Sequence, residues 1–155
     1  MILADGTIGQ MMEPISFEDV EVKNFERFER YKVIEETEPM WEEYLMEDAE
    51  YCVVAFGIAS RVAKNAVVAA RKEGIKVGLI RPITLWPFPK AALAKAADQV
   101  KAFLSVELSM GQMIEDVRLY TESKCPVSLC NRCGGMIPSP DQVLESIRKA
   151  QKGEF

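Results

Sequence analysis

The order of residues predicts an α/β fold, a mainly parallel sheet between two helical layers in a three-layer α/β/α arrangement. Three observations predict it. Short, near-continuous apolar runs recur from Tyr51 onward, as strands buried on both faces require. A segment with helical apolar spacing, or one rich in alanine, follows each run. Glycine and proline punctuate the joins between them.

The elements follow in order. Tyr51 to Gly57, YCVVAFG, is a strand closed by glycine. Ser60 is placed to cap the next helix, in which Ala59, Val62, Ala63, Ala66, Val67 and Ala70 fall on one face. Arg71 and Lys72 suit the negative end of that helix, and Gly74 supplies the stop. Lys76 to Ile83 is the second strand, Pro89 to Ala97 a helix, and Ala102 to Glu107 the third strand. Gly111 to Tyr120 is a helix with Met113, Ile114 and Val117 inward, and Pro126 to Cys130 is the fourth strand. Ser139-Pro140-Asp141-Gln142 forms a capping box with proline at the first helical position. It starts a last helix that buries Val143, Leu144 and Ile147.

The first fifty residues follow no such pattern. Ile2 to Gly6 reads as a strand ending in a turn, with no earlier strand to pair with. Residues 1–20 are therefore expected to be the tail of a preceding domain in a longer polypeptide. Residues 21–50 read as an acidic connector with a helical turn or two near Glu26 to Tyr31, and residues 51–155 as the α/β domain. Residues 18–50 hold 13 of the 24 acidic residues and 4 of the 19 basic ones, a local charge of −9 in a chain of −5. That run reads as a solvated linker, with the alternative of an arm lying against a basic surface.

Composition narrows the function. The chain has no histidine, which excludes His-based triads, His-ligated zinc and imidazole acid–base chemistry from its own residues. No apolar run approaches the ~20 residues that span a bilayer, and no signal peptide is visible. These features point to a cytoplasmic protein with reduced thiols. No dense Lys/Arg patch with interleaved aromatics suggests nucleic acid.

In a parallel sheet, ligands and partners meet the loops at the carboxyl ends of the strands. These loops are Gly57 to Ser60, Arg81 to Pro89, Glu107 to Gln112 and Asn131 to Gly135. The tract Arg81 to Pro89, RPITLWPFP, has three prolines in nine residues and must lie packed on something, being too apolar for a free loop. Glu107 ends an apolar strand, where a carboxylate needs a partner, and Arg81 at the end of the second strand is the expected one. Ser60, Arg81, Glu107, Gln112, Arg118 and Arg132 are the candidate interface or anion-binding residues. Arg132 offers a bidentate fork to a carboxylate or phosphate, with pairing to a nearby acid as the alternative. The methionines Met110, Met113 and Met136 suit either an adaptable contact surface or core packing.

Cys125, Cys130 and Cys133, with Cys52, have spacing that suggests part of an iron–sulfur site. Strand geometry argues against it: Cys125 and Cys130 would stand roughly 16 Å apart along an extended strand, and Cys52 opens its strand while Cys130 ends its own. The thiols read as structural, and no metal ligand is assigned.

Three tracts in this order, RPITLWPFP, VELSMGQMIEDVRL and NRCGGMIPSPDQVLESI, resemble 2-oxoacid:ferredoxin oxidoreductases. The resemblance is to the subunit that carries a thiamine pyrimidine-side domain followed by a transketolase C-terminal-like domain. The opening ADGTIGQMMEP resembles the end of the former. The combination is most similar to the 2-ketoisovalerate type, with the 2-oxoglutarate and pyruvate types as alternatives. Asn131 departs from the family's glycine, but asparagine tolerates a positive φ, so the turn is expected to survive. The resemblance implies an enzyme that uses thiamine diphosphate, magnesium, iron–sulfur clusters and coenzyme A to convert a 2-oxoacid to an acyl-CoA and to reduce ferredoxin. This chain then corresponds to an assembly domain with no catalytic residue and no cofactor of its own, whose partners are the other subunits, with a homodimer also open. A self-contained cysteine redox protein and a stand-alone anion-binding module are the competing classes.

Overall fold

The computed structural model describes residues 16–154. The expected strand at Ile2 to Gly6 lies outside them. Two compact units divide the chain, one ending at Thr37 and the other beginning at Glu38. In the first, helix α1 runs from Phe17 to Thr37. This replaces the expected turn or two of helix. Residues 17–37 contain neither glycine nor proline, and Ser16 caps the start, its Oγ accepting from Asp19 N–H at 3.1 Å. No residue of α1 is buried; Phe17, Val20, Phe25 and Phe28 stay exposed along it.

The second unit holds strands β1 (Trp41–Tyr44), β2 (Tyr51–Ala55), β3 (Val77–Pro82), β4 (Ala102–Glu107) and β5 (Val127–Asn131). Helices α2 (Gly57–Lys72), α3 (Lys90–Ala97), α4 (Met113–Tyr120) and α5 (Pro140–Gln151) connect and follow them. The sheet order is β1-β3-β2-β4-β5, with β1 antiparallel to β3 and the other pairs parallel. Alternate residues of each strand serve opposite cores. Val53, Leu79, Leu104 and Val106 pack with α2 and α5. Val54, Ile80 and Phe103 pack with α3 and α4. The α/β class and three layers thus appear as the apolar runs predict.

Several boundaries shift. The sheet begins with β1, inside the stretch read as an acidic connector; WEEY is a short edge strand with one face exposed, so its pattern is weak. Ser60 does not cap α2. The helix starts at Gly57 after an extended Phe56, and Ser60 Oγ sits inside the first turn, donating to Gly57 O at 2.7 Å. Asn131 is the last extended residue of β5, paired with Glu107, and the positive φ of that loop falls on Gly134 and Gly135. The α5 capping box forms as read: Ser139 Oγ accepts from Gln142 N–H at 3.2 Å, and Gln142 Oε1 accepts from Ser139 N–H at 3.0 Å.

Gly78 shows how closely the β1 approach is packed. A Cβ there would stand 2.7 Å from the Leu45 carbonyl oxygen and closer still to Met46 Sδ. Gly78→Ala is therefore expected to destabilise the α/β unit by roughly 1–3 kcal/mol through overpacking. A urea denaturation series checks this, with a lowered midpoint at unchanged slope as the expected result.

Candidate functional site

β4 carries an acidic residue to a place where none belongs without support. Glu107 has 0% of its surface exposed. Its Oε1 accepts from Ser105 Oγ at 2.8 Å and Ile114 N–H at 2.8 Å. Its Oε2 accepts from Ser109 Oγ at 2.7 Å, Gln112 N–H at 2.9 Å and Met113 N–H at 3.0 Å. Three of the five donors are backbone amides at the start of α4, where helix geometry leaves amides without partners. The Gln112 side chain makes no cap, so the Glu107 carboxylate caps α4 from a neighbouring strand. Burial pushes the Glu107 carboxyl up, but the hydrogen bonds from Ser109, Ser105, Met113 and Ile114 together hold it below its ordinary value. Gly111 closes the loop with φ +99°, in a turn where a Cβ would stand 3.1 Å from Leu129 Cδ2.

This cage lies where the topology reverses. α2 leaves β2 over one face and α4 leaves the adjacent β4 over the other, which opens a crevice at the strands' carboxyl ends. A cavity of about 240 Å³ fills that crevice, lined by Phe56, Leu85, Leu108 and Met113 with Glu107, Ser109, Gln112 and Asp116. The Asp116 carboxyl is raised above its ordinary value, first by burial and then by the nearby Glu107 charge. Among the described residues nothing donates a hydrogen bond or ion pair to the Asp116 side chain.

The proline-rich tract forms one wall and is strapped down at both ends. Ile83 N–H and Thr84 N–H donate to Met40 O at 2.9 and 3.2 Å. Met40 N–H donates to Thr84 Oγ1 at 2.9 Å, and that hydroxyl donates to Pro87 O at 2.8 Å. Phe88 is buried and stacks on Tyr120 at 5.7 Å between centroids. The middle of the tract stays outside: Leu85 is 47% and Trp86 54% exposed. Leu108, Met110, Met136 and Ile137, on the neighbouring strand-end loops, are exposed as well.

The six sequence candidates separate. Glu107 and Gln112 meet at the cage. Ser60 and Arg81 line a different recess on the α2 side with Arg61 and Lys64. Arg81 does not pair with Glu107, because β2 lies between β3 and β4; its Nη1 donates to Glu42 at 3.0 Å instead. Arg118 pairs with Glu115 at 2.7 Å on exposed α4. Arg132 enters only through its backbone, donating N–H to Glu107 O at 3.2 Å. Phe56, Leu85, Ser109 and Asp116 also line the cavity and are not among those six, although Leu85 and Ser109 lie in strand-end loops that the sequence singles out. Ser109 carried a usable signal, as a hydroxyl two residues beyond a strand-end carboxylate; the inward face of Asp116 against its neighbour Glu115 carried none.

The thiols do not converge. Cys52 and Cys125 pack into the α3–α4 core, whereas Cys130 packs into the α2–α5 core across the sheet. All are free, and among the described residues no group of three or more His, Cys, Asp or Glu side chains is placed to hold a metal ion. Burial pushes the Cys52 thiol far up, against thiolate chemistry.

Residues 49–143 match the family model described as pyruvate:ferredoxin oxidoreductase core domain II. The chain is 50% identical over 135 residues to the ketoisovalerate oxidoreductase subunit VorB of Methanothermobacter thermautotrophicus, covering 87% of this chain and 38% of that protein. It is 40% identical over 182 residues to VorB of Methanothermobacter marburgensis, covering 96% and 51%. The 2-oxoglutarate synthase subunit KorA of the latter organism is 37% identical over 101 residues, covering 65% and 27%. The chain thus spans about half or less of the length of these curated relatives. Among solved structures, 2-oxoglutarate:ferredoxin oxidoreductase from Magnetococcus marinus superposes with TM-score 0.74 at 22% identity, covering 93% of this chain and 24% of that one. A split-gene transketolase gives TM-score 0.64 at 20% identity, covering 75% and 42%. At these identities the two structures speak to the fold alone.

Glu107→Gln tests the cage. An amide nitrogen would face donors where an oxygen now accepts, so the variant is expected to lose roughly 2–3 kcal/mol of stability at neutral pH. The acid limb changes too. A carboxyl held low in the folded state contributes fully above its unfolded pKa, the ordinary glutamate value, and loses that contribution as pH falls through the lower folded value. Denaturation of both proteins between neutral pH and pH 3 should show the stability difference narrowing on the acid side.

Proposed function

The chain belongs to the pyruvate:ferredoxin oxidoreductase core domain II family, and we propose that it is the transketolase C-terminal-like part of a 2-ketoisovalerate:ferredoxin oxidoreductase subunit. The observation that carries this is the 50% identity to a ketoisovalerate oxidoreductase subunit over 135 residues. In this reading residues 1–20 end a preceding thiamine pyrimidine-side domain and residues 21–50 lead into the α/β domain. The segment around β1 then contributes an edge strand to that domain. The whole enzyme, assembled with its other subunits, decarboxylates the 2-oxoacid, forms the acyl-CoA and reduces ferredoxin in the cytoplasm. No helix among the described residues is long and apolar enough to cross a membrane.

The role of this part is to support and dock. A strand-end face with exposed Leu85, Trp86, Leu108, Met110, Met136 and Ile137 presents the apolar side chains that a neighbouring domain or subunit covers. The exposed phenylalanines of α1 call for cover in the same way. Two observations weigh against a cluster or a metal ion held by this part. The cysteines lie on both faces of the sheet, and the buried carboxylate at the switch point spends its lone pairs on five internal donors. Thiamine diphosphate, magnesium, the clusters and coenzyme A belong in this reading to other parts of the assembly. That same separation of thiols disfavours a self-contained redox protein.

The test is an anaerobic affinity purification of the tagged protein from its source. The thiamine-enzyme subunits should be recovered with it, and 2-ketoisovalerate-dependent ferredoxin reduction should reside in the complex and be absent from the 155-residue chain alone. Trp86→Ala should weaken recovery at least about tenfold while leaving the folded α/β unit intact. Recovery of no such subunits, or turnover by the isolated chain, contradicts the reading.

A further inference from the structure

We propose that the crevice between the carboxyl ends of β2 and β4 is a socket for an arginine side chain of the subunit that docks on this face. The inference rests on the docking reading above and adds the chemistry of its central contact.

Size argues first. At about 240 Å³ the cavity falls below the ~300–1,000 Å³ usual for small-molecule sites. It suits one long side chain better than a free substrate. Charge argues next. One half-buried carboxylate, Asp116, lines the cavity, the fully buried Glu107 adds its charge from beneath the surface, and no basic side chain lines it. Glu107 is satisfied by hydroxyl and amide donors, so its charge is hydrogen-bonded without being neutralised by a cation. Asp116 lacks even a donor among the described residues. A half-buried carboxylate beside a like charge gains from an incoming cation, and its raised pKa reports that need.

The walls select among cations. Phe56, Leu85, Leu108 and Met113 make most of the remaining wall apolar, alongside Ser109 and Gln112. An ammonium sheds its tightly held water reluctantly in such surroundings. A guanidinium is planar, more weakly hydrated, stacks on aromatic faces and donates in a fork that fits a carboxylate. Leu85 and Leu108 are exposed at the cavity, Trp86 and Met110 are exposed on the same two loops, and a partner lying over them would exclude water from the pair.

Methylguanidinium is the probe, with methylurea as its neutral counterpart of similar shape. Each is titrated into the 155-residue chain while NMR follows the methyl groups of Leu85, Leu108 and Met113 and the ring of Phe56. Methylguanidinium should produce saturable shifts confined to these groups, and Asp116→Asn should weaken that binding at least about tenfold. Equal binding of methylurea, unsaturable shifts scattered over surface acids, or unchanged binding by Asp116→Asn would overturn the socket. If the asparagine variant does not fold, the comparison of the two probes on the unaltered chain decides. The docking reading is judged apart from this. If the probe fails while the thiamine-enzyme subunits are still recovered, the socket alone falls. If the probe binds in the socket and no subunits are recovered, the socket stands and the docking reading falls.

Discussion

A carboxylate with none of its surface in water is among the costliest groups a fold of this size can carry. Glu107 is tolerable only because five donors converge on it, two hydroxyls and three amides. The dependence runs both ways. Without the carboxylate, the first amides of α4 would be buried without acceptors, and the turn at Gly111 would lose the atom it folds around. The cage therefore joins the end of β4, its following loop and the start of α4 into one rigid corner. The cavity, the acidic character of its floor and the outward aim of Leu108 and Met110 all follow from that corner.

The opposite wall is built by different means. RPITLWPFP has few backbone donors, so it is held by borrowed bonds from Met40, by the Thr84 hydroxyl and by the buried ring of Phe88. Its anchored ends leave Leu85 and Trp86 held outward. Two rigid apolar lips on either side of an acidic crevice form a preorganised contact surface, and preorganisation lowers the entropy lost on association. This suits a domain that supports chemistry performed elsewhere in an assembly.

Local pattern made much of this legible. The α2 face, the α5 capping box and the core strands were readable because the residues that make them lie within a few positions of one another. What was not legible depends on contacts between distant residues. Arg81 and Glu107 were expected to pair because both end strands, but strand order is a property of the whole chain, and β2 lies between them. β1 was hidden because only its pairing to β3 makes WEEY a strand. Asp116 and Glu115 are adjacent acids in one helical turn, and only the packing of α4 decides which of them meets the cavity. The cysteine argument ran along the strand, whereas the division of the thiols between the two faces of the sheet comes from the packing of distant elements.

The central claim is that Glu107 stays ionised in its cage and holds α4 by doing so. Carbon-detected NMR titration of the Glu107 carboxyl, followed together with the amides of Gln112, Met113 and Ile114, tests it most directly. The account predicts a carboxyl midpoint below the ordinary glutamate value, with all three amides shifting at that same midpoint. A midpoint at or above the ordinary value, or amides indifferent to it, would contradict the account.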